Sequence, residues 1–444
     1  MNNSLKEHSS EKIAMVGLGR VGLPLALAFL EKGFSLIGVD VDEKKLEKLK
    51  RGEMPFIEKG AESILRRWIS KRFSVTSDLE QAIAQVTTVI LTLGTPVDEH
   101  MNPVFEQIEA SFVKMTPFLR PGQLVVLRST VYPGTTEYLK RFIERETKLV
   151  VGKDLFLAYC PERISEGNSL EELAVIPQIV GGLDPDSNLR AQSLFKHLTP
   201  RVIVSDARSA ELAKLFCNMY RYIEFAIANE FMMIADNYKR NIYEIIELVN
   251  RDYARGGLKK PGFTGGPCLY KDGFFLINDI PYNELISIAW KINETVPAYL
   301  INSIKMRLPL EGRKVVILGL TFKRDIDDNR NSLSYKAKKI FLKEGARVFL
   351  HDPYIKPGDL GVILQDAEAV LVAVNHENYK KLSLPQIAQW VKPNCILCDI
   401  WNIFGTDQII FQLDECILPK PLSMQRLELL ASQMPEDTGK VSVE

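Results

Sequence analysis

The chain has 444 residues, 46% of them hydrophobic and 25% charged, an ordinary balance for a globular protein. Its 56 basic and 56 acidic residues cancel, so charge gives no footing for binding nucleic acid or an anionic membrane. No apolar run nears the ~20 residues that span a bilayer, and the polar stretch Met1 to Lys12 does not read as a signal peptide; we expect a cytoplasmic protein of roughly two to four domains.

The first ~200 residues alternate short apolar runs with helical patterns, which predicts a mostly parallel sheet. Strands are expected at Lys12–Val16, Ser35–Asp40, Val86–Leu93, Leu124–Ser129 and Gln178–Gly181, with a helix over Gly22–Lys32. In the middle, no proline falls between Pro200 and Pro261 and no glycine between Gly182 and Gly256. Leu212, Leu215, Phe216, Met219, Ile223, Ala226 and Ile227 recur at three-four spacing, one stripe of a long helix from about Asp206 to Asp236. Asp206 or Ser205 would cap it. Further helices are expected at Ile242–Val249 and Glu284–Lys305. A second α/β unit opens at Lys314–Gly319, with a helix over about Ser332–Glu344 and strands at Arg347–His351, Ala369–Val374 and Ile396–Ile400. The fold class is therefore α/β: two Rossmann-like, doubly wound parallel-sheet domains joined by a long central helix and a helical domain. The expected domains are 1–204, 205–305 and 306–432, followed by a polar tail, 433–444.

Gly17-Leu18-Gly19-Arg20-Val21-Gly22 is a GxGxxG that follows a strand and opens a helix, the context that makes this pattern a dinucleotide fingerprint. Its first two glycines would make the turn and admit a pyrophosphate, and the third would let helix and strand pack closely. Asp40 ends the next strand, where a carboxylate would bind ribose hydroxyls and repel a 2′-phosphate, so NAD is the expected cofactor. Arg20 and Val21 within the loop, and Thr95 at the Gly94-Thr95-Pro96 joint, are counted with the cofactor residues.

Six cysteines are scattered, which is no disulfide framework. Cys395 and Cys398 form a CxxC inside an apolar run, read as buried strand ahead of a metal or redox pair, and no metal site is expected. Cys268 is different: it follows the glycine-rich Gly262-Phe263-Thr264-Gly265-Gly266-Pro267 and precedes Lys271-Asp272. Glycines let backbone approach a ligand, and a nearby cation favours the nucleophilic thiolate. None of His8, His100, His197, His351 or His376 lies in a catalytic pattern, which argues against a His-acid proton relay. Lys214 and Asn218, four apart, share one face of the long helix and are better partners. Glu162 and Glu166 could position substrate or activate water, or belong to an ordinary charged loop. Arg128 to Val131 ends a strand, where ligands meet open sheets. Lys323, after Gly319, could hold a phosphate, while Asp328 to Ser332 could equally be a plain charged loop.

Taken in order, these motifs resemble the UDP-glucose/GDP-mannose dehydrogenase family over about residues 10–415. The resemblance rests on the fingerprint with Asp40, Ser129-Thr130-Val131, Pro161-Glu162 with Glu166-Gly167, Glu211 to Lys214 with Asn218, Gly265 to Asp272, and Phe322-Lys323 with Arg330. It implies NAD-dependent, four-electron oxidation of a nucleotide sugar at C6, to the uronic acid, through a cysteine thiohemiacetal and thioester. Carried over motif by motif, Cys268 captures the aldehyde, and Lys214, Asn218 and Asp272 surround the reacting carbon. Glu162 with Thr130 assists proton movement, and Glu166 sits near cofactor or sugar. Lys259 and the Gly262–Gly266 backbone, with Gly262 and Gly265, hold the nucleotide sugar, reached also by Lys323 and Arg330. A homodimer or higher homo-oligomer is implied, with Arg251 or Arg255 reaching a neighbouring site. The Cys268–Asp272 sequence and the Glu162–Glu166 spacing look like the UDP-glucose branch; Arg163 is more like the N-acetylhexosamine branch. We lean to a UDP-sugar, UDP-glucose first, for polysaccharide biosynthesis. The rivals are a single-step NAD dehydrogenase of the 3-hydroxyacid or 6-phosphogluconate type and a non-catalytic nucleotide-sugar sensor.

Overall fold

The computed structural model describes residues 11–99, 101, 104, 106–277 and 282–417, apart from the side chain of Gln107. His8, His100 and the 433–444 tail lie outside the described residues. Two compact units are present: Met1–Val296 with Thr321–Leu333, and Pro297–Leu320 with Ser334–Glu444.

The first unit is built on eight strands: β1 (Lys12–Val16), β2 (Ser35–Val39), β3 (Phe73–Thr76), β4 (Thr88–Leu91), β5 (Leu124–Leu127), β6 (Phe156–Tyr159), β7 (Gln178–Gly182) and β8 (Val202–Asp206). Their order is β3-β2-β1-β4-β5-β6-β7-β8. All neighbours run parallel except β6 and β7, which pair antiparallel at Ala158–Gly182 and Tyr159–Gly181. β4, β5 and β6 are buried along their whole length, as near-continuous apolar runs in a doubly covered sheet should be. The strand order reverses between β1 and β4, and a crevice for ligands is expected outside the carboxyl ends there.

The second unit has five strands: β9 (Lys314–Leu318), β10 (Arg347–His351), β11 (Ala369–Val372), β12 (Ile396–Asp399) and β13 (Ile410–Gln412). Their order is β10-β9-β11-β12-β13, parallel but for β13. Cys398 in β12 and Cys395 just before it are buried, and burial pushes both thiols up, Cys395 to about 12. They are strand packing.

The two units repeat one turn. Gly17 (φ 93°) and Gly319 (φ 92°) each follow the first strand of their sheet. Their N–H groups donate to Val39 at 2.8 Å and His351 at 2.9 Å. The next N–H, of Leu18 or Leu320, donates to Asp40 at 2.8 Å or Asp352 at 2.7 Å. The second copy is closed: Asp352 is fully buried, with His376 Nε2 3.1 Å from its Oδ2. Its carboxylate belongs to the core, whereas Asp40 keeps 9% exposure.

The long helix spans Ala207–Asn237, and Asp206 caps it, accepting from the Ser209 N–H at 2.9 Å. Glu211 fixes its first turns, accepting from Gly134 N–H at 2.6 Å and from Thr136 N–H and Oγ1 at 2.9 and 2.6 Å. The expected stripe divides. Leu215, Met219 and Ala226 are buried, but Phe216 is 58% and Ile227 41% exposed. They join Tyr220, Phe231 and Ile234 in a second apolar face, open on the chain by itself. Three-four spacing identifies a helix; where apolar residues surround it, spacing alone does not say which face enters the core.

Candidate active site

The fingerprint loop is shaped by its glycines. A Cβ on Gly22 would lie 2.0 Å from the Gly17 carbonyl oxygen and 2.3 Å from Thr92 Oγ1, and one on Gly17 would lie 2.6 Å from the Thr92 carbonyl oxygen. A Cβ on Gly19 would meet no other described residue within 4 Å, so open space lies beside it at the start of the helix Gly22–Glu31. Val21, at the N-cap, offers no side-chain cap to that helix start, as suits a place where phosphate would accept from backbone N–H groups. These features fit a dinucleotide.

Asp40 lies beside this loop with Lys45 Nζ 2.7 Å from its Oδ2, a partner the sequence pattern does not reveal. Its Oδ1 accepts from the Asp42 N–H at 3.0 Å. Burial pushes the Asp40 carboxyl up, but the Lys45 hydrogen bond and those from Asp42 and Leu18 hold it below its ordinary value. Asp40→Ala should weaken NAD by the worth of a charge-assisted hydrogen bond, about 1.5–3 kcal/mol. It should also relax discrimination against NADP, because the Lys45 cation stays behind to meet a 2′-phosphate. Comparing turnover with NAD and NADP checks this; unchanged discrimination contradicts it.

Cys268 immediately precedes the one-turn helix Leu269–Asp272, and its carbonyl accepts from the Lys271 and Asp272 N–H groups at 3.1 and 3.0 Å. The glycines before it serve packing. Gly266 has φ 101°, and a Cβ there would sit 2.6 Å from the Phe322 ring; on Gly265 it would sit 2.4 Å from the Asn331 carbonyl oxygen. Gly262 is gripped by Asn229, which donates to its carbonyl at 3.1 Å and accepts from its N–H at 2.9 Å. The Gly266 N–H donates to Asn331 at 3.1 Å. The N–H groups of Gly262 and Gly266 are thus spent inside the chain, which corrects the expectation that this backbone stretch as a whole would hold a nucleotide sugar. Asn293 completes the brace, accepting from Asn229 at 2.9 Å and donating to Tyr222 at 3.1 Å.

Around the thiol a buried polar set converges. Asp272 is fully buried; its Oδ2 accepts from Asn218 Nδ2 at 2.6 Å and its Oδ1 from Lys271 Nζ at 2.9 Å. Lys271 also reaches Thr95 Oγ1 at 3.4 Å and lies over the Phe275 ring at 4.5 Å. Lys214 is half-buried on the same helix as Asn218. The Cys268 side chain is open to solvent yet crowded by protein. That crowding, then the Asp272 carboxylate, push the thiol up to about 11, against the pull of Lys214 and Lys271. Asp272 also holds the adjacent lysine, so Lys271 does not act on the thiol unopposed. Alkylation of Cys268 by iodoacetamide in the ligand-free protein should accelerate with pH from 7 toward 11, as the thiolate fraction grows. A rate flat above pH 8, followed by mass spectrometry of the Cys268 peptide, contradicts this.

The remaining residues divide. Glu162 pairs with Arg128, whose Nε donates to Oε2 at 2.9 Å and whose other terminal nitrogen closes the pair. Glu162 Oε1 accepts from the Arg163 and Ile164 N–H groups at 2.7 and 2.9 Å. Arg128, 1% exposed, also donates to Gln178 and to the Cys160 carbonyl. Both are committed to one another, so Arg128 does not face a ligand and Glu162 has its oxygens filled. Arg163 donates to the Pro177 carbonyl. Thr130 is half-buried just beyond β5, and Lys259 is exposed, 3.8 Å from Glu224. Arg251 pairs with Glu247 at 2.9 Å, and Arg255 stacks on Tyr253.

Glu166 lies between Arg20 (3.9 Å) and Arg330 (3.7 Å). Burial, then the Asp328 carboxylate, push it up to about 7. Lys323 donates to Ser165 Oγ and to the Glu166 carbonyl at 3.1 Å, and burial lowers its ammonium against the pull of Glu172 and Glu166. Glu58, absent from the sequence reading, positions this loop by accepting from Gly167 N–H at 3.1 Å and Ser169 N–H at 2.7 Å.

A fingerprint beside a Rossmann switch point and a cysteine set among lysines, an amide and a buried acid define a dinucleotide-linked dehydrogenase class. Three models of the UDP-glucose/GDP-mannose dehydrogenase family match: its NAD binding domain over residues 11–199, its central domain over 208–295 and its UDP binding domain over 316–406. The chain belongs to that family. It is 30% identical to a UDP-N-acetyl-D-mannosamine dehydrogenase of Methanocaldococcus jannaschii, covering 90% of this chain and 95% of the relative. It is 31% identical to an NDP-N-acetyl-D-galactosaminuronic acid dehydrogenase of Ralstonia solanacearum, covering 84% and 93%. The solved UDP-D-ManNAc dehydrogenase of Pyrococcus horikoshii superposes with TM-score 0.81 at 30% identity, covering 86% of this chain and 93% of that one. Among the described residues no helix is long and apolar enough to cross a membrane.

Proposed function

We propose that this protein oxidises the C6 alcohol of a UDP-N-acetylhexosamine to the carboxylate, with two NAD consumed per sugar. The observation that carries the chemistry is Cys268 beside the buried Asp272–Asn218–Lys271 set, with Lys214 and Glu166 close enough to bias its thiol. The sugar class follows the relatives, whose names carry N-acetylated hexosamines; the short motifs that resemble the UDP-glucose branch make UDP-glucose the second reading. A panel of UDP- and GDP-sugars with NADH readout tests it. Highest kcat/KM on a UDP-N-acetylhexosamine supports the first reading, and preference for UDP-glucose overturns it in favour of the second.

The Gly17–Gly22 loop and Asp40 would hold NAD, which supplies the hydride acceptor for each two-electron step. Lys214 and Asn218 would face the C6 oxygen and favour its developing charge, while its proton leaves to water. Cys268 Sγ then bonds to the aldehyde carbon as its proton passes to water. A thiol held near 11 suits deprotonation in step with that addition rather than a standing thiolate. After the second oxidation the same sulfur carries the acyl group as a thioester. Water attacks that carbon, the C–S bond breaks, and carboxylate and thiol are regenerated. The covalent link keeps a reactive aldehyde from escaping between the two oxidations.

Lys323 and Arg330 would meet the diphosphate, on the segment shared with the UDP binding family model. Lys323→Ala should raise KM for the nucleotide sugar about ten- to hundredfold, the loss of a charge-assisted contact, and leave KM for NAD nearly unchanged. A fall in NAD affinity instead contradicts that assignment. We read the enzyme as cytoplasmic and a homodimer or larger, with the exposed apolar face of the long helix as the feature that supports association.

A further inference from the structure

Arg20 lies inside the cofactor fingerprint, but its side chain turns to another segment. One terminal nitrogen is 2.7 Å from Asp327 Oδ1, and its Nε is 3.3 Å from Asp328 Oδ2 and 3.9 Å from Glu166 Oε2. The guanidinium carbon lies 4.9 Å from the centre of the Phe56 ring, and 17% of the side chain is exposed. The second Asp327 oxygen accepts from the Ile57 N–H at 3.1 Å. Asp328 grips Arg330 through three contacts of 2.5–3.0 Å, and its carbonyl accepts from the Phe322 N–H at 3.0 Å. Lys323, next to Phe322, lies on the Ser165–Glu166 loop.

The charges explain why a guanidinium stands here. Asp327, Asp328 and Glu166 gather within one partly buried cluster. The contacts are between charges rather than aligned hydrogen bonds, and a delocalised planar guanidinium can lie against three carboxylates and a ring face at once, which a compact ammonium cannot. Without it the adjacent acids repel, and the segment bearing Lys323 and Arg330 loses one of its anchors, beside those of Ile57 and the Ser165–Glu166 loop. The loop therefore has two faces: backbone and open space at Gly19, and the Arg20 side chain on residues 327 and 328.

We propose that Arg20 is a positioning residue for the nucleotide-sugar segment rather than a ligand of the cofactor. This rests on the reading above that Lys323 and Arg330 meet the nucleotide sugar. It gives Arg20 a role other than the cofactor-binding one expected from its place in the fingerprint.

Calorimetric titration of the full-length protein with UDP and, separately, with NAD tests it. Arg20→Ala should weaken UDP about tenfold or more, as loss of one partner from a partly buried ion cluster does, and shift NAD affinity by less than about threefold. Arg20→Lys should recover part of the UDP loss. Asp327→Asn should weaken UDP too, and in the double variant the losses should be less than additive, because both remove one interaction. In turnover, Arg20→Ala should raise KM for the nucleotide sugar with KM for NAD unchanged, a split that general destabilisation would not produce. If Arg20→Ala weakens NAD while UDP binding holds, or alters neither, the inference is wrong. If the wild type binds NAD but no UDP, the parent reading of Lys323 and Arg330 falls, and this one with it.

Discussion

Cys268→Ser should abolish four-electron turnover, by about 10³-fold or more, while NAD binding stays intact. A serine hydroxyl is far less ionised than a thiol near 11, and its hemiacetal and ester lack the soft leaving sulfur on which covalent catalysis relies. Cys268 is solvent-open and caps only a one-turn helix, so the protein should fold as well as wild type. Steady-state assays and NAD titration on the purified variant check this. Full activity in Cys268→Ala would end the covalent account.

Asp272→Asn should move two observables in opposite directions. The fully buried carboxylate is the partner of the buried Lys271 ammonium, so its loss should destabilise the protein by about 3–5 kcal/mol and cut turnover severely. Yet the same carboxylate is the second largest influence raising the Cys268 thiol. Removing its charge should lower the thiol pKa and speed alkylation of Cys268 at pH 8. Faster labelling with lost turnover separates a site that needs Asp272 for chemistry from one that merely collapses; slower labelling contradicts the electrostatic picture. Folded protein for the assay is confirmed by a cooperative thermal transition.

The contrast between those observables shows what sequence carried. The Gly17–Gly22 loop was legible because glycine spacing between strand and helix follows from backbone sterics, and the Asp206 cap because it is local. The Cys268–Asp272 stretch was visible as residues, but its electrostatics were not. Lys271 beside the thiol reads as an activating cation until Asp272 is seen to hold it at 2.9 Å. Lys45 on Asp40, Asn229 around Gly262 and Asp327 on Arg20 are side-chain pairings set by tertiary approach, and no periodicity encodes them. Glu162, an acid after a strand beside a glycine-bearing loop, has the position of a catalytic base; its pairing with the buried Arg128 is another tertiary contact that sequence does not reveal. The strands β3, β8 and β13 carry polar residues that break any apolar run, whereas β6, apolar throughout, is missing from the expected strands although it reads like β4 and β5. In β8, Ile203 and Val204 are exposed, so burial gives no clear pattern to read.

The central claim is that one thiol carries one sugar through two oxidations. The most direct measurement is the amount of NADH formed per nucleotide sugar when a limiting amount is run to completion with excess NAD, with the product identified by mass spectrometry. The account predicts two NADH and a product bearing a C6 carboxylate. One NADH, with an aldehyde or ketone as the final product, would contradict it and return the chain to the single-step dehydrogenases.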